Sequence, residues 1–89
     1  MRSILNSKFR QLFAQLPSNV QDLARKNYEL WRNDPGHPSL DFKKAKRGVS
    51  VYSIRVGNDW RALGQKEGDL IVWFWIGSHS DYDKLLSQL

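Results

Sequence analysis

The chain has 89 residues, a formal net charge of +5 and no cysteine, and 40% of its residues are hydrophobic. This length supports one domain over residues 1–89, and the composition excludes an intrinsically disordered chain. The absence of cysteine excludes a disulfide scaffold and a thiolate metal site, and a zinc site on two well-separated histidines would need carboxylates from scattered positions. We therefore expect neither a metal ion nor another cofactor.

The basic charge balance favours an acidic partner, either a nucleic acid or an acidic protein segment. A merely soluble basic domain is the alternative. The sequence contains no apolar run near the length of about 20 residues that a membrane span needs. Its amino-terminal segment has neither the apolar stretch nor the cleavage site of a signal peptide. We expect a cytoplasmic protein that does not bind membranes.

The first half of the chain predicts two helices. Apolar residues at a helical period predict a first helix that Ser7 caps and Pro17 ends. Ser18 opens the second helix, Gln21 allows a capping box, and the Asn-Asp-Pro-Gly sequence at 33–36 ends it. Because the linker is short, we expect an antiparallel helical hairpin. The inward positions are Phe9, Leu12, Phe13 and Leu16 in the first helix, and Val20, Leu23, Ala24, Asn27, Leu30 and Trp31 in the second.

In the second half the apolar period changes to two, which is typical of strands. Tight turns separate strands at 51–56, 60–65 and 70–76, and residues 2–5 are a candidate for another short strand. The run 70–76 is apolar on both faces, so it belongs in the middle of the sheet. Residues 81–89 suit a terminal helix, with its two leucines at 85 and 86 facing inward. The predicted fold is α+β: an N-terminal helical hairpin on a small twisted antiparallel sheet, with a short C-terminal helix.

Two arginines fall inside consecutive predicted strands. Arg61 faces opposite to both of its neighbours, and the planar fork of its guanidinium suits bidentate contact with phosphate. A surface ion pair with Asp59 or Asp69 is the alternative. Arg55 stands beside Arg61 across the hairpin, where two like charges are costly unless an anion lies between them. The pair therefore predicts a phosphate site, and a solvated strand-edge cation is the alternative for Arg55.

Two titratable residues, His79 and Tyr82, follow the last strand, and a first helical turn would present them on a common side. RNA cleavage without a metal needs a group that accepts the 2′-hydroxyl proton, a group that protonates the leaving 5′-oxygen, and fixed cations. Histidine exchanges protons near neutral pH, and tyrosine donates a hydrogen bond or stacks on a base. Core packing of the terminal helix is the alternative for Tyr82, and a place beside the helix cap is the alternative for His79.

The densest charge run precedes the first strand of the second half. Such a run is usually a solvated face, but beside the strand arginines it would add salt-sensitive affinity for RNA. Trp73 and Trp75 are expected to share one face of the last strand, where core packing is favoured over a base-stacking platform. His37 is expected in a loop. The cations of the run are Lys43, Lys44, Lys46 and Arg47.

The chain contains, in order, the segments HPSL with the F two residues later, YSIRVGNDWRAL, IVWFWIG and SHSDYDKLL. With these segments it resembles the RelE/ParE superfamily of bacterial toxins over nearly its whole length. The resemblance implies the toxin of a type II toxin–antitoxin system, neutralised by an acidic or amphipathic segment of its antitoxin. In the RelE-like branch it implies a growth-inhibiting endoribonuclease, a hydrolase of messenger RNA on the ribosome. In the ParE-like branch it implies inhibition of DNA gyrase, and an inactive antitoxin-binding module is a third possibility.

The same resemblance implies roles for single residues. Arg61 matches the arginine of the superfamily that contacts the scissile phosphate, and relatives of the RelE-like branch carry a basic residue at the position of Arg55. His79 and Tyr82 match the carboxy-terminal His or Tyr that acts on RNA. The catalytic set implied is thus Arg61, His79 and Tyr82.

The chain also departs from the superfamily pattern. Ser53 stands in the middle strand where RelE-like enzymes tend to carry lysines, and the terminal segment lacks the extra arginine of many relatives. A carboxylate that would match the general base of some relatives has only Asp41 and Glu67 as candidates. These departures are compatible with weak, ribosome-dependent or lost cleavage.

Overall fold

Within residues 1–88, five strands form one sheet with helices on both faces, which confirms the predicted α+β class. The computed structural model describes residues 1–88, so Leu89, the last residue of the predicted terminal helix, lies outside the described residues. No helix within residues 1–88 is long and apolar enough to cross a bilayer. The elements are β1 (Arg2–Leu5), α1 (Ser7–Ala14), α2 (Ser18–Asn33), a 3-10 turn (Pro38–Leu40), β2 (Lys43–Lys44), β3 (Val51–Val56), β4 (Trp60–Glu67), β5 (Leu70–Ser78) and α3 (His79–Leu86).

The strand order is β1-β5-β4-β3-β2, and the predicted strands β3, β4 and β5 pair antiparallel as expected. The short strand β2, which the sequence did not predict, also pairs antiparallel with β3. The candidate strand at 2–5 is confirmed as β1, which pairs parallel to β5 and makes the sheet mixed. Strand β5 therefore lies between two neighbours and under helices on both faces. This position explains why β5 is apolar on both sides.

The predicted helix caps are wrong in detail. Asn6 rather than Ser7 caps α1, because its side-chain oxygen accepts a hydrogen bond from the amide of Phe9 at 2.9 Å. The cap position of α2 is Pro17, and the side chain of Gln21 donates to the Phe13 carbonyl at 3.0 Å. Gln21 thus ties α2 to α1 instead of closing a capping box with Ser18.

The sheet separates two hydrophobic clusters. The larger cluster lies under α1 and α2 and is centred on Trp31, which is 1% exposed. Trp31 packs edge-on against Trp73, with ring centroids 5.3 Å apart. The smaller cluster lies under α3 and contains Leu63 and Tyr82, with the two leucines of α3 packed against it as predicted. The alternation of the strands sends successive side chains into these two clusters.

A β-bulge divides the two tryptophans of β5 between these clusters. Leu63 pairs with Trp75 while Gly64 pairs with Trp73, so β5 carries one extra residue at this point. Trp73 consequently packs in the larger cluster and Trp75 in the smaller one. The prediction that they share one face is wrong, because it assumed an unbroken period of two. Both tryptophans nevertheless pack against core residues, as predicted.

We expect Gly64→Ala to destabilise the fold, because a methyl group there would lie 2.7 Å from Ile71 Cγ1 and 2.8 Å from Trp73 Cε3. Such overpacking lowers the free energy of unfolding by about 1–3 kcal/mol. Gly36→Ala is the matched control. Its new methyl group would have no neighbouring atom of residues 1–88 within 4 Å. Urea unfolding followed by tryptophan fluorescence measures both, and equal stability of the two variants would contradict this packing.

Candidate active site

The strand register places Arg55 and Arg61 directly opposite each other on β3 and β4. Both alternate with residues of the larger cluster, so they lie on the face of the sheet that carries α3. Gly77 of β5 is the next residue across from Arg61. The predicted proximity of the two arginines across the hairpin is confirmed.

The two guanidinium groups have different surroundings. Arg55 is exposed, whereas Arg61 is only 5% exposed. Arg61 Nη1 donates to Asp41 Oδ2 at 3.3 Å, and Nη2 donates to the Asp41 carbonyl at 3.3 Å and to Ser53 Oγ at 2.9 Å. Arg61 is therefore a buried, ion-paired cation and not the solvent-facing one that the sequence predicted. Its partner is also neither of the two aspartates expected as the alternative.

Tyr82 connects Arg61 to His79. Arg61 Cζ lies 5.1 Å from the centroid of the Tyr82 ring, a cation–π contact. The His79 ring stacks on the Tyr82 ring with a centroid distance of 5.8 Å and an interplanar angle of 18°. Tyr82 is 5% exposed, so its ring packs as the core-packing alternative expected. The structure thus brings the three predicted catalytic residues into one series of contacts.

His79 is the accessible titratable group of this series, since 53% of its side chain is exposed. It is the first residue of α3, which Ser78 caps by accepting a hydrogen bond from the Asp81 amide at 3.1 Å. The backbone amide of His79 donates to the carbonyl of Asp59 at 2.8 Å, which fixes the start of the helix to the turn before β4. Its Nε2 lies 3.8 Å from Asp83 Oδ2, an ion pair when the imidazole is protonated.

Asp41 is one of the two carboxylates that the sequence analysis named as candidates for a general base. It follows the 3-10 turn with a left-handed backbone, φ 47° and ψ 47°, and its carboxylate also accepts from Lys43 Nζ at 3.3 Å. Burial raises the pKa of Asp41, but the hydrogen bonds and charges of Lys43 and Arg61 outweigh it and hold that pKa below its ordinary value. Glu67, the other candidate, lies at the far end of β4 opposite Leu70.

The structure does not gather the predicted basic run into one patch. Lys43 pairs with Ser53 and so lies on the same face as Arg61, while Lys44 pairs with Tyr52 and lies on the opposite face. Lys46 and Arg47 are exposed in the turn that leads into β3. That turn lies at the end of the sheet where β3 begins, about 13 Å along the strand from Arg61. Their contact with RNA remains a prediction, as does that of Arg55.

His37 lies in a loop as predicted, where its side chain caps the 3-10 turn. Its Nδ1 accepts a hydrogen bond from the backbone amide of Ser39 at 3.2 Å. His37 therefore has a structural place in the segment that leads to Asp41. It does not join the contacts around Tyr82.

A groove of about 340 Å³ opens between α1 and α2 on the other face of the sheet. Exposed arginines 10 and 25 line it together with Asn27, and the Arg25 guanidinium lies 5.1 Å from the Phe13 ring centroid. The sequence predicted the two helices but not the space between them. The apolar lining consists of Leu5, Phe9, Phe13, Ala24, Ile54, Val56, Ala62, Trp73 and Ile76.

Residues 18–84 match the family model of the ParE-like toxin domain, which covers α2, the sheet strands β2–β5 and most of α3. No curated protein sequence matches the chain. The fold is similar to a chain of the RelB–RelE antitoxin–toxin complex from Methanococcus jannaschii, with a TM-score of 0.72 and 24% sequence identity. That likeness covers 91% of this chain and 96% of the other.

Two further solved structures have the same fold. A chain of the RelBE2 toxin–antitoxin complex from Mycobacterium tuberculosis matches with a TM-score of 0.70 and 13% identity, covering 88% of this chain and 96% of that one. A copper-bound mutant toxin from Helicobacter pylori matches with a TM-score of 0.63 and 17% identity, covering 91% and 97%. At these identities the likenesses establish the fold alone.

We expect the Asp41 ion pairs to make the stability of the fold sensitive to acid. Because the pKa of Asp41 is lower in the folded chain, the ion pairs stabilise the fold above the unfolded pKa of about 4. That contribution is lost as the pH falls through the folded pKa. The free energy of unfolding should therefore fall less steeply between about pH 5 and pH 2 in Asp41→Asn than in the wild type.

Urea unfolding at a series of pH values measures this difference. Asp22→Asn is the control, since its carboxylate pairs with Arg25 on the exposed side of α2 at 3.3 Å. The control should keep the slope of the wild type. An unchanged slope in Asp41→Asn would show that the ion pairs add nothing to acid sensitivity.

Proposed function

The chain belongs to the ParE-like toxin domain family, as the RelE/ParE resemblance predicted, and we propose that it cleaves messenger RNA as the toxin of a type II toxin–antitoxin system. The proposed reaction is metal-independent and takes place on the ribosome. The observation that supports it best is the series of contacts from Arg61 through Tyr82 to His79, beside the exposed Arg55. These residue types at one place provide cations, a phenol and an imidazole for phosphate chemistry.

The reaction begins when the 2′-oxygen of a nucleotide attacks the adjacent phosphorus. His79 accepts the 2′-hydroxyl proton and then donates a proton to the leaving 5′-oxygen, so the products are a 2′,3′-cyclic phosphate and a 5′-hydroxyl. His79 suits this role because 53% of its side chain is exposed, so an RNA strand can reach it. Arg55 binds the phosphate, and Lys43 contributes charge from the same face.

The buried residues act from behind this surface. The Tyr82 ring supports the imidazole by stacking and brings its hydroxyl toward the reacting group, while Arg61 stabilises negative charge on the phosphorane. Contact between Arg61 and a phosphate requires the Asp41 carboxylate to move, because that carboxylate forms an ion pair with the guanidinium. The cations at 44, 46 and 47 add affinity for the RNA backbone that falls with salt.

Inhibition of DNA gyrase is the second candidate. The match to the ParE-like toxin domain favours it. The burial of Arg61 and Tyr82 favours it as well, because each of these side chains has little access to an RNA substrate. An inactive module that only binds an antitoxin is the third. Inducible expression separates the three: cut messages support the nuclease, DNA damage with intact messages supports gyrase inhibition, and unaffected growth supports the module.

We expect His79→Gln to lower the rate of RNA cleavage by about 10²–10⁴-fold, since it removes the group that transfers both protons. Tyr82→Phe should lower the rate by a smaller factor, since it removes only the hydroxyl and keeps the ring that stacks on His79. Tyr82→Phe keeps the ring that packs against Leu63 in the smaller cluster, so the fold should survive. Lys84→Gln, an exposed change on the same helix, is the control and should cleave like the wild type. Mapping of new 5′-hydroxyl ends within translated messages measures the effect.

An endonuclease is excluded if the wild type produces no such ends on inducible expression. The assigned roles are wrong if both folded variants cleave at the rate of the wild type. Circular dichroism of the purified variants establishes that they are folded.

We also propose that an amphipathic antitoxin segment with acidic residues binds in the groove between α1 and α2. The apolar floor of the groove suits a hydrophobic stripe, and Arg10 and Arg25 at its border suit carboxylates. The groove is open along the sheet, where Ile54 and Trp73 line it. The RelB–RelE and RelBE2 structures, to which the fold is similar, are complexes of a toxin with an antitoxin.

We expect Arg10→Glu with Arg25→Glu to weaken binding of the co-expressed antitoxin by about tenfold or more, because like charges would then face each other. Lys26→Glu with Arg32→Glu is the control, since it makes the same change in net charge on exposed positions of α2. Isothermal titration with the antitoxin encoded beside the gene measures both. An equal loss in the two double variants would place the antitoxin elsewhere.

A further inference from the structure

Two cations converge on one oxygen atom of Asp41. Arg61 Nη1 and Lys43 Nζ each lie 3.3 Å from Asp41 Oδ2. A carboxylate that accepts from a guanidinium and an ammonium in this way occupies the position that one oxygen of a phosphate or sulfate ion would take. The geometry is thus that of an oxyanion site filled by a residue of the same chain.

The three charged groups differ in their access to solvent. The side chain of Arg61 is 6% exposed, whereas those of Asp41 and Lys43 are 37% and 60% exposed. A buried guanidinium needs an anionic partner at all times, because an unpaired buried charge is strongly destabilising. The side chain of Asp41 is reachable from solvent, so an external anion has access to the position of its carboxylate.

Arg61 also has a hydrogen-bond donor to spare. Its Nε atom is buried and has no hydrogen-bond partner among residues 1–88. The carboxylate, the Asp41 carbonyl and Ser53 Oγ take up only the two terminal nitrogens. An oxyanion with three or four oxygens offers more acceptors than a carboxylate and suits the unused donor.

The backbone at Asp41 allows its side chain to be changed without strain. Aspartate, asparagine and glycine are the residues that adopt the left-handed conformation found there, φ 47°. The neighbouring Leu40 is 0% exposed and anchors the loop in the larger cluster. Asp41→Asn and Asp41→Gly therefore remove the charge and leave the loop in place.

We propose that Asp41 is a built-in occupant of an oxyanion site formed by Arg61 and Lys43, and that a phosphate group binds there by displacing it. The proposal rests on the proposed function in one respect, because the natural ligand would be a phosphate of RNA. The site itself is independent of cleavage and is open to inorganic sulfate. Asp41 thereby lowers the affinity of the protein for anions, and it neutralises the buried charge of Arg61 when no phosphate is bound.

The test compares Asp41→Asn with the wild type in sodium sulfate and in sodium chloride at equal ionic strength. We expect sulfate to raise the thermal unfolding midpoint of Asp41→Asn by about 5 °C or more over chloride, and to raise that of the wild type much less. A short single-stranded RNA should bind Asp41→Asn about tenfold tighter than the wild type. The signal of the Arg61 Nε–H group in the ¹⁵N NMR spectrum should move with sulfate in the variant.

Two controls separate this effect from general ones. Asp22→Asn changes the net charge equally at an exposed ion pair, and Leu63→Ala weakens the same face without changing a charge. Both should respond to sulfate like the wild type. An equal response of Asp41→Asn and Asp22→Asn would overturn the site, and so would weaker RNA binding by Asp41→Asn.

The anion site can also be tested if Asp41→Asn does not fold in chloride. If Asp41→Asn is unfolded in chloride, sulfate must restore its circular dichroism, and Asp41→Gly must behave alike; no recovery in either variant would overturn the proposal. The result is also separable from the proposed function. Sulfate binding by Asp41→Asn together with intact messages in cells expressing the wild type would retain the site and reject the nuclease.

Discussion

The buried guanidinium of Arg61 is the constraint on which the candidate site depends. A positive charge under α3 is tolerated only with partners, and the chain supplies them from three separate elements. The loop before β2 returns to bring Asp41, β3 contributes the hydroxyl of Ser53, and α3 lays the ring of Tyr82 over the guanidinium. Since these partners are far apart in sequence, their contacts with Arg61 tie the first half of the chain to the sheet and to the last helix.

The sequence was sufficient to predict the parts of the site that follow from local periodicity. A tight turn between two alternating strands sets their register, and that register alone placed Arg55 opposite Arg61. The step from an apolar strand into a helical turn likewise placed His79 and Tyr82 together. Each of these relations spans only a few residues or one hairpin, where the backbone geometry is nearly fixed by the residue pattern.

The relations that the sequence did not predict depend on the path of the chain. The approach of Asp41 to Arg61 requires a left-handed residue after a 3-10 turn, a combination that no periodicity indicates. The separation of Trp73 from Trp75 requires a bulge, which shifts the period by one residue and leaves the composition of the strand unchanged. Burial of the guanidinium depends on the path of the chain as well, because the residues that contact it, Asp41, Ser53 and Tyr82, come from three separate elements.

The groove and the site use opposite sides of the same two strands. Ile54 and Ala62 line the groove, and their neighbours Arg55 and Arg61 face the other way. Asn27, which also lines the groove, donates a hydrogen bond to the Arg55 carbonyl at 3.1 Å. An antitoxin segment confined to the groove would therefore leave the exposed Arg55 side chain uncovered. An antitoxin that binds as proposed must either reach around the edge of the sheet or act on the site through the shared strands.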